Sequence, residues 1–202
     1  MASILFSAAS VSAQTDSRLA VGASVTTRVA TSEEAGSGAA VNFEWRIGHA
    51  IAGWGPQLSL FSWFDTDVQR PIGAGTIDPG HIRIRPLLAG YGYTWVRRRT
   101  AITADVVGGY SLNSFRLDSA ALAEYERLLG ASGIESEATN AWAIKPEVQA
   151  WYDINTRFGL KLNGGYLIAR PSLVLRSSLG EVVVPVHADS FLITAGLVYS
   201  LF

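Results

Sequence analysis

Alternation at a period of two recurs along almost the whole chain, and it admits very few folds. Leu19, Val21, Ala23 and Val25 alternate with Ala20, Gly22, Ser24 and Thr26, and Val41, Phe43, Trp45 and Ile47 alternate with Asn42, Glu44 and Arg46. The pattern returns from Ile102 to Asn113, from Trp142 to Tyr152 and from Phe158 to Ile168. A last run puts Phe191, Ile193, Ala195, Leu197, Tyr199 and Leu201 in one phase. Successive side chains of a strand point to opposite faces, so each run is a strand with one apolar and one polar or small face. Two less regular strands are expected at about 57–65 and 82–96. In the second, Arg83 and Arg85 share a phase with Tyr91, Tyr93 and Trp95, and Pro86 and Gly90 between them predict a bulge that shifts the phase.

No helical membrane span competes with these strands. After the first residues, the longest stretch free of Asp, Glu, Lys and Arg runs from Ile47 to Phe64, and Gly53-Trp54-Gly55-Pro56 interrupts it. A spanning helix needs about 20 mostly apolar residues. A break of this kind at mid-depth would leave backbone groups unsatisfied in lipid. Yet the chain is 49% hydrophobic and only 16% charged, against roughly 25% charged in an ordinary soluble domain. A closed, antiparallel β-barrel of eight strands is the membrane structure that remains, with ten if Leu173–Arg176 and Glu181–Val186 count separately.

Charge and cysteine content remove other classes. The 16 Lys and Arg balance 17 Asp and Glu without a basic block, which excludes the cationic footprint of a nucleic-acid binder. With no Cys, the chain has no disulfide framework, thiolate metal site or Cys nucleophile. Ile4-Leu5-Phe6 and the small-residue pattern Val11-Ser12-Ala13 make residues 1–13 the end of an export signal whose start precedes Met1, with a single barrel domain over 14–202.

Connection lengths alternate. Long segments, Thr31–Ala39, Thr66–Gly80, Arg116–Asn140 and Pro171–His187, follow the odd-numbered strands, while Arg97–Arg99 and Asp153–Thr156 follow the fourth and sixth, and Gly48–Gly55 after the second is of intermediate length and fits less well. Outer-membrane barrels have long extracellular loops and short periplasmic turns, so both termini are expected in the periplasm. Trp45, Trp95, Tyr152 and Tyr199 then fall at the periplasmic rim, and Phe64, Phe115, Trp142 and Phe191 at the extracellular one, as two aromatic girdles. The sequence closes on Tyr199-Ser200-Leu201-Phe202. In these patterns the chain resembles the small eight-stranded outer-membrane barrels of the OmpX and OmpA transmembrane-domain type. The resemblance covers nearly all of residues 14–202 and implies that Tyr199, Leu201 and Phe202 act as the signal read by the barrel-assembly machinery. It also implies a bacterial outer-membrane location, with membrane lipid as the surrounding partner.

Candidate functional residues follow from this frame. Arg28, Glu44, Arg46, Arg83, Arg85, Asp105, Lys145, Glu147 and Lys161 are expected to point inward. With eight strands about 4.8 Å apart and tilted about 40°, the backbone diameter is roughly 16 Å, narrow enough for side chains to fill. These charges therefore predict a paired polar network sealing the lumen rather than an open pore; a narrow passive channel is the alternative. His81 and His187 stand at the extracellular rim near Asp78 and Asp189, but neighbours on a strand alternate faces, so no nucleophile–base pair is expected and the chain does not read as an enzyme. A lipid-modifying hydrolase is the least favoured function. No His pair has ligand spacing, and the Gly-rich stretches lack phosphate-loop spacing, so no metal or cofactor is expected. Asp118 to Gly130 predicts one capped helix in the longest extracellular loop. In the seventh connection, Leu173–Arg176 and Glu181–Val184 flank a turn at Ser177–Gly180, and the Val182-Val183-Val184 edge is expected either to serve adhesion to an extracellular protein or to fold back on the other loops. The chain is expected to act as a monomer.

Overall fold

In a computed structural model, the described residues are 19–32, 36–47, 51–59, 64–72, 75–130 and 132–201, so the expected export signal lies outside them. One antiparallel sheet forms the barrel wall. Its strands are β1 (Leu19–Ala30), β2 (Gly38–Ile47), β3 (Gly53–Ser59), β4 (Phe64–Ile72), β5 (Gly75–Arg97), β6 (Thr100–Leu117), β8 (Ala141–Asp153), β9 (Phe158–Ala169) and β12 (Ser190–Ser200). Their order is β2-β1-β12-β9-β8-β6-β5-β3, with β4 pairing β5 beyond β3. β3 and β4 therefore share one position, and the wall has eight. The first and last strands pair from Ala20↔Ser200 to Ala30↔Ser190, and β4 lies against β2, bringing the two sheet edges together.

Alternation decides which side chain goes where. On β1, Ser24, Thr26 and Arg28 are buried inside, while Val25 and Val29 project outward; on β12, Leu192 and Val198 turn in and Phe191, Ile193 and Leu197 turn out. Outside the barrel, water-like exposure of these apolar residues marks the face that lipid covers. Tyr110 packs edge-on against Trp142 with centroids 5.7 Å apart, and Tyr166 tilts on Phe191 at 4.7 Å. At the opposite end Tyr93 meets Trp95 at 4.7 Å and Trp54 at 5.3 Å, and Phe158 meets Tyr199 at 5.1 Å. From Tyr110 down to Ile102, opposite Trp95, a strand tilted about 40° descends roughly 20 Å, close to the ~25 Å apolar band of such barrels. The side chains of Trp45 and Phe64 lie outside the described residues.

The expected bulge in β5 is absent. β5 runs in unbroken register with β6 from Gly80↔Leu117 to Arg97↔Thr100. The irregularity lies against β4 and beyond this stretch: Val68 pairs with Gly80 and Arg70 with Ile77, two steps of β4 against three of β5. Without a phase shift, Arg83 and Arg85 face outward with Tyr91 and Trp95, a correction to their expected place in the lumen. The physical reason is that β5 and β6 outrun the membrane. Above the upper girdle the surroundings are water, so the polarity of the two faces inverts. Ile82 and Ile84 are completely buried inside, packed with Ala138, Leu173, Val186 and Ala188. Phe115, expected in the upper girdle, also turns inward and packs on this cluster.

The long connections add a second sheet of β11 (Gly180–Pro185), β10 (Ser172–Ser177) and β7 (Glu135–Ala138), in that order. These strands are not additional barrel strands, so the eight-stranded alternative holds. The helix α1 (Ser119–Leu129) sits where the sequence predicts it, with Asp118 at its N-cap position and Gly130 ending it at φ 63°. Only a residue tolerant of the left-handed region ends a helix this way cheaply.

Candidate functional site

The lumen holds a belt of paired polar groups. Lys145 and Glu147 both point inward from β8, with Nζ 2.9 Å from Oε2. The same ammonium donates to Ser59 Oγ at 2.9 Å. β3 and β8 are separated by β5 and β6 in the sheet, so this bond crosses the interior. Gln149 Nε2 donates to Gln57 Oε1 at 3.3 Å along a parallel route, and to Asp105 Oδ2 at 3.0 Å. Asn163 donates to Glu147 from β9. On the other wall, Asn42 donates to Thr26 at 2.8 Å and Thr26 shares a hydrogen bond with Thr194 at 2.7 Å. Arg28 is 2% exposed and donates to the Gly36 carbonyl.

Two apolar layers bracket the belt. Towards the end with the short turns, Trp151 packs with Ala20, Ala101 and Val198, and Lys161 lies over the Trp151 ring at 5.6 Å. Towards the end with the long connections, Leu88, Val107, Ala143, Leu167, Ala169 and Leu192 form a buried cluster. Of the nine residues expected in the lumen network, the structure places Arg28, Asp105, Lys145, Glu147 and Lys161 inside, and it places Arg83 and Arg85 outside. The side chains of Glu44 and Arg46 lie outside the described residues. Sequence reading overlooked the neutral members, Gln57, Ser59, Gln149, Asn163, Thr26 and Asn42. Their inward phase on alternating strands was the available signal, hidden by attention to charge.

Above the membrane, β11 forms one edge of the small sheet. It pairs with β10 from Gly180↔Ser177 to Pro185↔Ser172, and no strand pairs with its other side among the described residues. Val182 and Val183, on opposite faces, are 58% and 56% exposed, and Leu179 in the adjoining turn is more exposed still. Val184 packs against the extracellular cluster. The hairpin is held by Arg176, whose Nε donates to Glu181 Oε2 at 2.9 Å and whose Nη1 lies 3.8 Å from Glu137. The Glu181 hydrogen bond pushes the guanidinium pKa further up from its already high value.

His81 lies 3.8 Å from Asp118. Asp189 is occupied by the Ala169 amide at 3.0 Å and by Arg170 at 3.4 Å, while the buried Ser190 hydroxyl donates to the Ala188 carbonyl at 3.3 Å. At the chain's end, Tyr199 faces outward and Leu201 is exposed, and Phe202 lies outside the described residues.

No protein-family model matches the chain, and no curated protein does. Solved structures do. The outer membrane protein OprG from Pseudomonas aeruginosa superposes with a TM-score of 0.69 at 13% identity, over 92% of this chain and 96% of that one. AlkL, an outer membrane protein determined in lipid bilayers, gives 0.58 at 13% identity over 92% and 90%. Outer membrane protein W of E. coli gives 0.52 at 13% identity over 92% and 98%. The fold is that of the small outer-membrane β-barrels.

Proposed function

We propose that this protein is a sealed barrel of a bacterial outer membrane that presents a binding edge to the outside. The observation that carries the reading is the free side of β11 with Val182 and Val183 both more than half exposed. An unpaired strand edge offers a row of backbone donors and acceptors, and an incoming extended segment can complete it. Val182, Val183 and Val184 supply apolar contacts on both faces. Pro185, which cannot donate a hydrogen bond, and the Gly180 turn limit the added strand to about six residues, roughly 20 Å. The partner is thus an extended, apolar segment of an extracellular protein. The periplasmic position of both termini, monomeric action and the lack of a catalytic step belong to the same reading.

Replacing Ser177–Gly180 and the flanking strands with a short Asn-Gly turn tests it. The barrel should still fold and shift in a heat-modifiability gel, while binding to cells or matrix proteins is lost; unchanged binding overturns the reading. A narrow channel is the competing function. Because the described lumen is packed at three levels, the refolded chain should be silent in planar bilayers, and steady single-channel conductance would favour the channel instead.

A further inference from the structure

A basic cluster lies at the opposite end of the barrel, where the proposed function has no role for it. β5 and β6 join through Arg98 and Arg99, with Arg97 closing the ladder opposite Thr100. The neighbouring turn between β8 and β9 contributes Arg157. The two turns are tied together: the Asp153 amide donates to the Arg99 carbonyl at 2.8 Å, and Arg99 Nη1 donates to the Ile154 carbonyl at 3.2 Å. Ser200 donates to the Arg157 carbonyl at 2.7 Å, which fixes the second turn to the last strand. Arg97, Arg98 and Arg157 are exposed, and their side chains make no hydrogen bond or ion pair among the described residues. Turn formation alone does not account for these residues. Arg98 has φ 55°, a conformation that tight hairpin turns normally give to Asn, Asp or Gly because other side chains strain there.

Position supplies the second argument. Trp95 precedes Arg97 by two residues on β5, so the turn begins only about 7 Å beyond that ring's backbone. Trp95 belongs to the lower aromatic girdle with Trp54 and Tyr93, and such rings settle at the headgroup level. These exposed guanidiniums are therefore held where phosphate groups of the inner leaflet lie. Guanidinium matches phosphate in charge and forms bidentate hydrogen bonds with it.

We propose that Arg97, Arg98 and Arg157 form a docking surface for the headgroup phosphate of anionic phospholipids in the periplasmic leaflet. The site anchors the short-turn end of the barrel and sets its depth. It rests on the periplasmic placement of the termini in the proposed function but not on the strand edge at the other end, and would stand if edge binding failed.

The full chain, refolded in nanodiscs of phosphatidylcholine with and without phosphatidylglycerol, is the test system. Lipids retained after detergent release are counted by native mass spectrometry. The native chain should retain phosphatidylglycerol over phosphatidylcholine on the order of tenfold at low salt, falling as ionic strength rises. The triple variant Arg97→Gln/Arg98→Asn/Arg157→Gln keeps Arg99 and places Asn in a conformation that it tolerates, so folding should survive. It should lose the preference, and the corresponding triple Lys variant should keep most of it. Should the Gln/Asn variant fail to fold, charge reversal of Arg157 alone provides the comparison, expected to cut the preference severalfold. An unchanged preference in these neutral or reversed variants overturns the proposal. So does amide-shift mapping in which inorganic phosphate or soluble peptidoglycan fragments perturb the two turns as strongly as phosphatidylglycerol.

Discussion

Lys145 Nζ lies 2.9 Å from Glu147 Oε2 inside the barrel, and each side chain is less than a tenth exposed. The geometry is that of a pair whose members cannot be removed singly. Taking away the ammonium strands a carboxylate in the packed interior, where breaking a buried pair costs about 3–5 kcal/mol. Lys145→Met should therefore lower the urea midpoint of the detergent-folded barrel markedly. The double variant Lys145→Met/Glu147→Gln should recover most of the loss, because it removes both members of the pair together. Equal destabilisation by the single and double variants would show that shape, and not charge pairing, holds the belt.

Polarity inversion along β5 predicts opposite behaviour for adjacent residues. Ile84 is completely buried in the cluster with Ala138 and Leu173, whereas Arg83 and Arg85 face outward beside it. Ile84→Ala should destabilise the extracellular layer by about 2–5 kcal/mol through lost burial and the cavity left behind. Limited proteolysis should then cut the loops while the wall keeps its heat-modifiable migration. Arg85→Gln should stay within about 0.5 kcal/mol of the parent, as most exposed substitutions do. A large loss from Arg85→Gln would return that residue to the interior.

This contrast also explains what the sequence disclosed and what it concealed. Strands such as Phe158–Ala169 and Ser190–Ser200 were legible because lipid on one side and a polar lumen on the other impose one rule along their whole length. β5 was misread because it crosses two solvents. Arg83 and Trp95 share a face, yet one meets water and the other the membrane boundary, so residue type alone suggested a bulge that the backbone does not make. β7 went unseen for another reason. Glu135-Ser136-Glu137-Ala138 carries almost no apolar signal, and its strand state comes from pairing with β10 across a long sequence gap.

Gly22 provides a test of the seam between the first and last strands. A Cβ built there would lie 2.0 Å from the Leu197 carbonyl oxygen, a backbone atom that cannot swing away. Gly22→Ala should force β1 off β12 locally, in the region of the Gly22↔Val198 pair. The expected outcome is a clearly reduced yield of the heat-modifiable folded form, with slower refolding into vesicles. Gly164→Ala serves as the control, since a Cβ there meets nothing within 4 Å, and it should fold like the parent.

The edge of β11 can be blunted without removing it. Natural edge strands avoid unwanted pairing by placing charge, above all Lys, along the exposed strand. Val182 and Val183 contribute little to the extracellular core, since both are more than half exposed and Val184 makes the inward contact. Val182→Lys/Val183→Lys should therefore leave the urea midpoint within about 1 kcal/mol of the parent. Binding to cells or to an immobilised matrix protein should fall at least tenfold, because desolvating two ammonium groups against an incoming strand is costly. Val184→Ala gives the reverse pattern: it weakens the extracellular cluster while leaving the outer edge chemically unchanged. Protease resistance of the loops should drop in that variant while binding by the intact fraction persists. Full binding by the double Lys variant would mean that partners attach elsewhere on the extracellular layer.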